Sequence, residues 1–219
     1  LTTRHPFGIS YGTSSQTLNV LVKLQYNGFT GLGEAAPASY HGESRETVMA
    51  VLGKMQAKEP EILGADPFAI QAVSANMDKM IAGNYAAKAA VEMAMHDLAG
   101  KVAGLSTYKM LGLSNGHPPM TDFTIGIDNL DMIERKTEEA LELGHKLLKV
   151  KVGTNYDREI IKKVRKVAPN IPIRVDANGG WTVKQAVESA KFLHDNGAEF
   201  IEQPVPNFRH VDDVRFGKE

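Results

Sequence analysis

Between Leu18 and Tyr26 the chain is a run of strand-forming residues, and Asn27-Gly28, the dipeptide preferred in a two-residue hairpin turn, follows at once. Phe29 to Gly33 reads as the returning strand. After Ser44 the apolar spacing lengthens to that of a helix, with Thr47, Val48, Val51, Leu52 and Met55 on one side. Asp66-Pro67 reads as an N-cap followed by proline at the first helical position. Tyr85 to Lys101 is rich in Ala and Met with apolar residues nearly all round, which predicts a buried helix with Met93 and Met95 in its core. Residues 1–120 therefore read as an α+β module.

From Thr121 the pattern changes. Asp122–Ile127, Leu147–Val152, Ile171–Asp176 and Glu199–Gln203 are short strand candidates, and Leu130–Gly144, Tyr156–Ala168 and Val183–Gly197 are of helix length. In the last of these Val183, Ala186, Val187, Ala190 and Leu193 follow the stripe of a helix packed on a sheet. Strands alternating with helices predict parallel βα units, hence an α/β fold that is either doubly wound or a TIM-type barrel. Residues 121–219 supply four such units, half of what a closed barrel of about eight needs. The tail, Asn207–Glu219, is charged and unlike a fifth strand.

Composition narrows the function. With 25 Lys+Arg against 26 Asp+Glu in 219 residues, no global field favours nucleic acid or an acidic membrane. The absence of cysteine excludes disulfides, zinc-thiolate sites and a thiol nucleophile, and fits a reducing cytosol. No apolar run approaches the roughly 20 residues that span a bilayer, and the start does not resemble a signal peptide, so a cytoplasmic protein is expected. Leu1 is not an initiator methionine, and residues preceding it are expected.

Candidate chemistry gathers on the later strands. Side chains alternate along a strand, so Lys149 and Lys151 share a face while Val150 turns to the helices. A lysine-protected edge strand would look the same. One βα unit later Asp176 ends a strand, and one unit after that Glu202 lies between Ile201 and Gln203-Pro204 in a run that reads as buried. Carboxyl ends of parallel strands converge on one rim. A lone carboxylate there is commonly a turn former, a role open to Asp176 before Ala-Asn-Gly-Gly-Trp, but two carboxylates beside two lysines suggest a hard-cation site with an adjacent base.

Lys149-Val-Lys151, Val175-Asp-Ala-Asn-Gly-Gly-Trp181 and Ile201-Glu-Gln-Pro-Val-Pro206 resemble, in order and spacing, successive barrel-strand motifs of the muconate-lactonizing subgroup of the enolase superfamily, with the dipeptide epimerases most similar. Arg4-His-Pro-Phe7, Gly33-Glu-Ala-Ala-Pro37, Asn84–Glu92 and Tyr108–Gly112 are similar to its N-terminal capping domain. The resemblance implies a capping domain over residues 1–120 and the first four units of a barrel over residues 121–219. It implies Mg²⁺-dependent removal of the proton beside a carboxylate, with Lys151 as base and Lys149 as its cationic neighbour, whose charge should lower the Lys151 pKa. Asp176 and Glu202 would ligate Mg²⁺, whose charge would offset the negative charge that forms on proton loss. Asn178 would lie close to the metal, and Thr124 would touch substrate, a dipeptide or N-acyl amino acid. Neither nucleic acid nor membrane is an expected partner, and a homo-oligomer is left open.

Three departures accompany the likeness. Gly179 stands where the family usually has Gln, which alters what surrounds the metal ligand Asp176. The first cap loop, Gly8–Ser15, lacks the arginine of relatives acting on alanyl-glutamate, so an acidic substrate side chain is not expected. The family's third carboxylate, opposite-face lysine and Asp-x-Asp do not occur, and the chain reads as a fragment. Muconate cycloisomerase, o-succinylbenzoate synthase and N-succinylamino acid racemase share Lys151, Asp176 and Glu202. A non-catalytic truncated barrel whose open edges pair with another chain is the reading from a different class. Gly31-Leu-Gly33-Glu-Ala-Ala36 matches a dinucleotide fingerprint, but it follows a hairpin and Pro37 interrupts the required helix. The seven histidines show no metal-ligand spacing and read as surface or packing residues, and His41-Gly-Glu43 reads as a solvated loop.

Overall fold

A hairpin that the sequence pattern does not announce opens the chain: β1, Thr2–Ile9, pairs antiparallel with β2, Gly12–Gln16. Every residue of β2 is exposed, so burial imposes no alternation on its sequence. The computed structural model describes residues 2–114, 116 and 118–206. Within it the chain divides into two compact units, residues 17–118, and residues 2–16 together with the segment from Pro119 onward.

In the first unit β3, Val20–Tyr26, and β4, Phe29–Ala35, form the expected hairpin, with Asn27 and Gly28 both at positive φ (45° and 83°) as a tight turn between twisted strands requires. The helices are α1, Arg45–Ala57; α2, Glu59–Leu63; α3, Ile70–Met80; α4, Tyr85–Ala103; and α5, Thr107–Met110. Ser44 and Thr47 close a capping box that starts α1. Asp66-Pro67 does not start α3. The Asp66 carboxylate instead accepts the Phe68 N–H at 2.9 Å, closing a turn, and the helix begins at Ile70. Gly31 and Gly33 lie against α4 so closely that a Cβ at either would collide with the Ala94 or Ala90 carbonyl, so the glycines serve strand-to-helix packing. Met95 is buried as expected, but Met93 is 45% exposed because it lies on the opposite side of α4. Glu43, read as part of a solvated loop, accepts the Ala86 N–H at 3.2 Å in the first turn of α4.

The second unit carries β5, Phe123–Ile125; α6, Leu130–Glu142; β6, Leu148–Lys151; α7, Asp157–Val167; β7, Ile173–Asp176; α8, Val183–Asp195; and β8, Ala198–Glu202. The four strands form one parallel sheet in the order β5-β6-β7-β8. Spatial order follows chain order, as in a (βα) barrel, whereas a doubly wound sheet reverses at a switch point. Asn129 caps α6 through the Met132 N–H, and Thr182 and Gln185 form a capping box on α8. The helix-facing residues Leu148, Val150, Ile173 and Val175 are fully buried with Ile160, Ile161 and Val164 of α7. Each such side chain contributes about 1.5–3 kcal/mol on burial. That layer fixes which way the alternate residues point.

Among the described residues no helix is long and apolar enough to cross a membrane. The tail 207–219, His117 and His210 lie outside the described residues.

Candidate active site

Because Leu148 and Val150 are locked into the helix side, Lys149 and Lys151 must project to the other face. The parallel register aligns Thr124 with Lys149, Lys149 with Arg174, Lys151 with Asp176 and Asp176 with Glu202. Thr124, Lys149, Lys151, Asp176 and Glu202 thus occupy one face of the sheet toward the carboxyl ends of its strands, and Asn178 follows in the turn after β7.

Their contacts are direct. Lys151 Nζ donates to Asp176 Oδ2 at 2.7 Å and to Asn178 Oδ1 at 2.9 Å. Lys149 Nζ lies 2.9 Å from the same Asp176 oxygen and donates to Glu202 Oε2 at 2.6 Å. The Asn178 N–H donates to Asp176 Oδ1 at 2.9 Å, in a turn that puts Asn178 at φ 47°, a left-handed conformation Asn adopts more readily than most residues. Thr124 is half-buried on the neighbouring strand.

Two ammonium groups therefore meet two carboxylates. Burial opposes ionisation of Asp176, but Lys151, Lys149 and the Asn178 N–H overcome it and hold its pKa below the ordinary value. Burial likewise favours a neutral Lys149, yet the hydrogen bonds to Glu202 and Asp176 outweigh it and raise its pKa. The lysine–lysine repulsion invoked from spacing alone is met by a carboxylate at each ammonium. Glu202 departs from expectation in another way. Its side chain is 48% exposed, where a buried strand was read, because β8 is an edge of the four-stranded sheet.

Asp176 and Glu202 offer hard anionic oxygens that already embrace one cation, the Lys149 ammonium, and Mg²⁺ is held in many sites by one or two carboxylates with waters completing its shell. The donor set fits such an ion. No group of three or more acidic, His or Cys side chains suited to a metal occurs among the described residues.

Sequence reading missed the groups that brace this rim. Asp157, the first residue of α7, accepts the Gly153 and Thr154 N–H groups, the Thr154 hydroxyl at 2.6 Å and Trp181 Nε1 at 2.8 Å, tying the loop after β6 to the loop after β7. An acid in the first turn of a helix after Gly-Thr was the available signal. From the β1–β2 turn the Ser10 hydroxyl donates to the Asn178 carbonyl at 3.2 Å. Gly179, the departure noted above, has φ 71°, and a Cβ there would come within 3.0 Å of Pro206 Cα and 3.1 Å of the Tyr11 hydroxyl. Of the histidines, His5 lies 2.7 Å from Glu139 and His96 contacts the Glu92 carbonyl, both distant in sequence from the cluster. A cavity of about 550 Å³ lies in the first unit between β3 and the helices, and none of the four charged residues lines it.

A βα sheet in barrel order with lysines and carboxylates at its rim defines an enolase-like class. The sequence profile of the mandelate racemase / muconate lactonizing enzyme N-terminal domain matches residues 1–112, and that of the enolase C-terminal domain-like fold matches residues 132–216. The chain belongs to the mandelate racemase / muconate lactonizing enzyme family. It is 40% identical over 212 residues to the L-Ala-D/L-Glu epimerase of Bacteroides thetaiotaomicron, covering 96% of this chain and 54% of that protein. It is 35% identical to the hydrophobic dipeptide epimerase of Enterococcus faecalis, covering 92% and 57%. Among solved structures, the dipeptide epimerase of Enterococcus faecalis V583 complexed with Mg and L-Leu-L-Tyr superposes with a TM-score of 0.88 at 32% identity, over 99% of this chain and 62% of that one. The chain spans about half the length of the curated relatives it matches.

Proposed function

We propose that this chain carries a Mg²⁺-dependent site for removing the α-proton of a carboxylate substrate, and that the substrate is a dipeptide undergoing epimerisation. The supporting observation is the contact network in which Lys151 reaches Asp176 at 2.7 Å while Lys149 bridges Asp176 and Glu202. In this reading Lys151 Nζ takes the proton from the substrate α-carbon, and the C–H electron pair moves toward the substrate carboxylate. Lys149 lies against that carboxylate and balances its growing charge. Asn178 Oδ1 orients the Lys151 head group, and Thr124 contacts substrate from β5. Asp176 and Glu202 would hold Mg²⁺, which when bound supplies positive charge beside the carboxylate.

The relatives favour a dipeptide over the muconate, succinylbenzoate and N-succinyl substrates used elsewhere in the subgroup. The first loop, Gly8–Ser15, has no arginine and favours a neutral second side chain. The division into a capping domain, residues 1–120, and barrel units, residues 121–219, belongs to the same proposal.

Proton abstraction is read by NMR loss of the α-proton signal of L-Ala-L-Xaa dipeptides in D₂O with Mg²⁺. Exchange in the unaltered chain that falls at least about 10²-fold in Lys151→Ala supports the reading. Exchange equal in the two proteins overturns it. A second reading, a non-catalytic scaffold, draws on the closure of both carboxylates onto lysines within the chain, and it predicts no exchange with any dipeptide.

A further inference from the structure

Strand β8 contains one residue too many. Ile173 pairs with Ala198 but Val175 pairs with Ile201, so two residues of β8, Glu199 and Phe200, stand opposite the single residue Arg174. That is a β-bulge, a device uncommon between parallel strands and often found where a side chain must be re-aimed beside a site. Its effect here is a change of parity. Glu199 and Glu202 are three positions apart, so a regular strand would send them to opposite faces. Yet Glu199 reaches Arg174 and Glu202 reaches Lys149, two residues aligned on the same face of the sheet. Ala198 and Ile201 both pack on the helix-side core, which is the same parity change seen from the other side.

Arg174 holds both residues of the bulge. Its Nε donates to Glu199 Oε2 at 3.0 Å, and its guanidinium carbon lies 5.2 Å from the Phe200 ring centroid, within the range of a cation–π contact. Nη1 reaches Asp122 Oδ2, just before β5, at 3.3 Å. One planar fork thus grips the extra residue, its neighbour and the far side of the sheet, a task a lysine point charge performs less well.

We infer that Arg174 is a positioning residue: by clamping Glu199 and Phe200 it holds the bulge, and the bulge delivers Glu202 to Asp176 and Lys149. The register claim stands on strand geometry, and its consequence for cation binding rests on the function proposed above.

Amide hydrogen exchange on the full chain tests it. Ala177 N–H donates to the Glu202 carbonyl and Gly179 N–H to the Gln203 carbonyl, so their protection reports the β8 register, while Val152 N–H, bonded to the Asp176 carbonyl, reports the adjoining pair. Arg174→Ala is expected to lower protection at Ala177 and Gly179 by about tenfold or more and leave Val152 unchanged, with Arg174→Lys restoring part of it. Deleting Phe200 pairs β7 and β8 one to one with the same faces, so in that background Arg174→Ala should cost less than about twofold. Glu199→Gln gives a route that needs no deletion and should reproduce the Arg174→Ala pattern. Unchanged protection in Arg174→Ala, a parallel loss at Val152, or an equal loss with and without Phe200 overturns the inference. Mn²⁺ affinity, followed in the same variants, should weaken wherever Ala177 loses protection. Lost protection with unaltered Mn²⁺ affinity would keep the positioning role and remove Glu202 from the cation site.

Discussion

At the scale of single residues, the charged groups of the second unit are arranged in opposed sets rather than as isolated functional side chains. The Lys149, Lys151, Asp176 and Glu202 cluster is one such set, and Glu134 with Lys163 and Lys166 on the helix layer is another. Hydrogen bonds from the two lysines, 2.7 and 2.6 Å, lower the Glu134 pKa from 4.5 to about 2. Its carboxylate is thus charged in the folded chain at pH values where the unfolded chain is protonated, so its contribution is complete above the unfolded pKa and vanishes as pH falls through the folded one. Glu134→Gln should therefore lower the urea midpoint at neutral pH, and the gap from the unaltered chain should narrow between about pH 5 and pH 3. A gap that stays constant over that range would contradict the pairing. Alternation along β6 and the ends of β7 and β8 made the cluster members legible in the sequence. Their partners were not, because which ammonium meets which carboxylate depends on inter-strand register, and β8 carries an extra residue that no local pattern marks.

At the scale of elements, the long segments with a firm period were legible: the β3–β4 turn, α4 and the βα alternation from Thr121 onward. Two departures fell where burial does not constrain sequence and where a side chain competes with the helix. The β1–β2 hairpin has one strand wholly exposed, and Asp66 spends its carboxylate on a turn instead of a helix start. Gly31 and Gly33 belong to a motif whose packing purpose, the close approach of β4 to α4, needed coordinates. Gly33→Ala should destabilise the first unit by about 1–3 kcal/mol, since its methyl group would press into the Ala90 carbonyl. Urea unfolding checks this, and an unchanged midpoint would mean that β4 is free to lift from α4.

For the whole molecule, four parallel strands in chain order, two matched family domains and epimerase relatives agree on one architecture, of which the chain spans about half the relatives' length. Central to the proposed function is a single cation-binding place formed by Asp176 and Glu202 beside the lysine pair. Titration with Mn²⁺, followed by its electron paramagnetic resonance signal, addresses that claim without requiring turnover. The unaltered chain should show one saturable site, abolished in Asp176→Asn, weakened by about tenfold or more in Glu202→Gln and unaffected in the remote variant Glu188→Gln. Equal isotherms for the unaltered chain and Asp176→Asn, or no saturable site in the unaltered chain, would contradict the account.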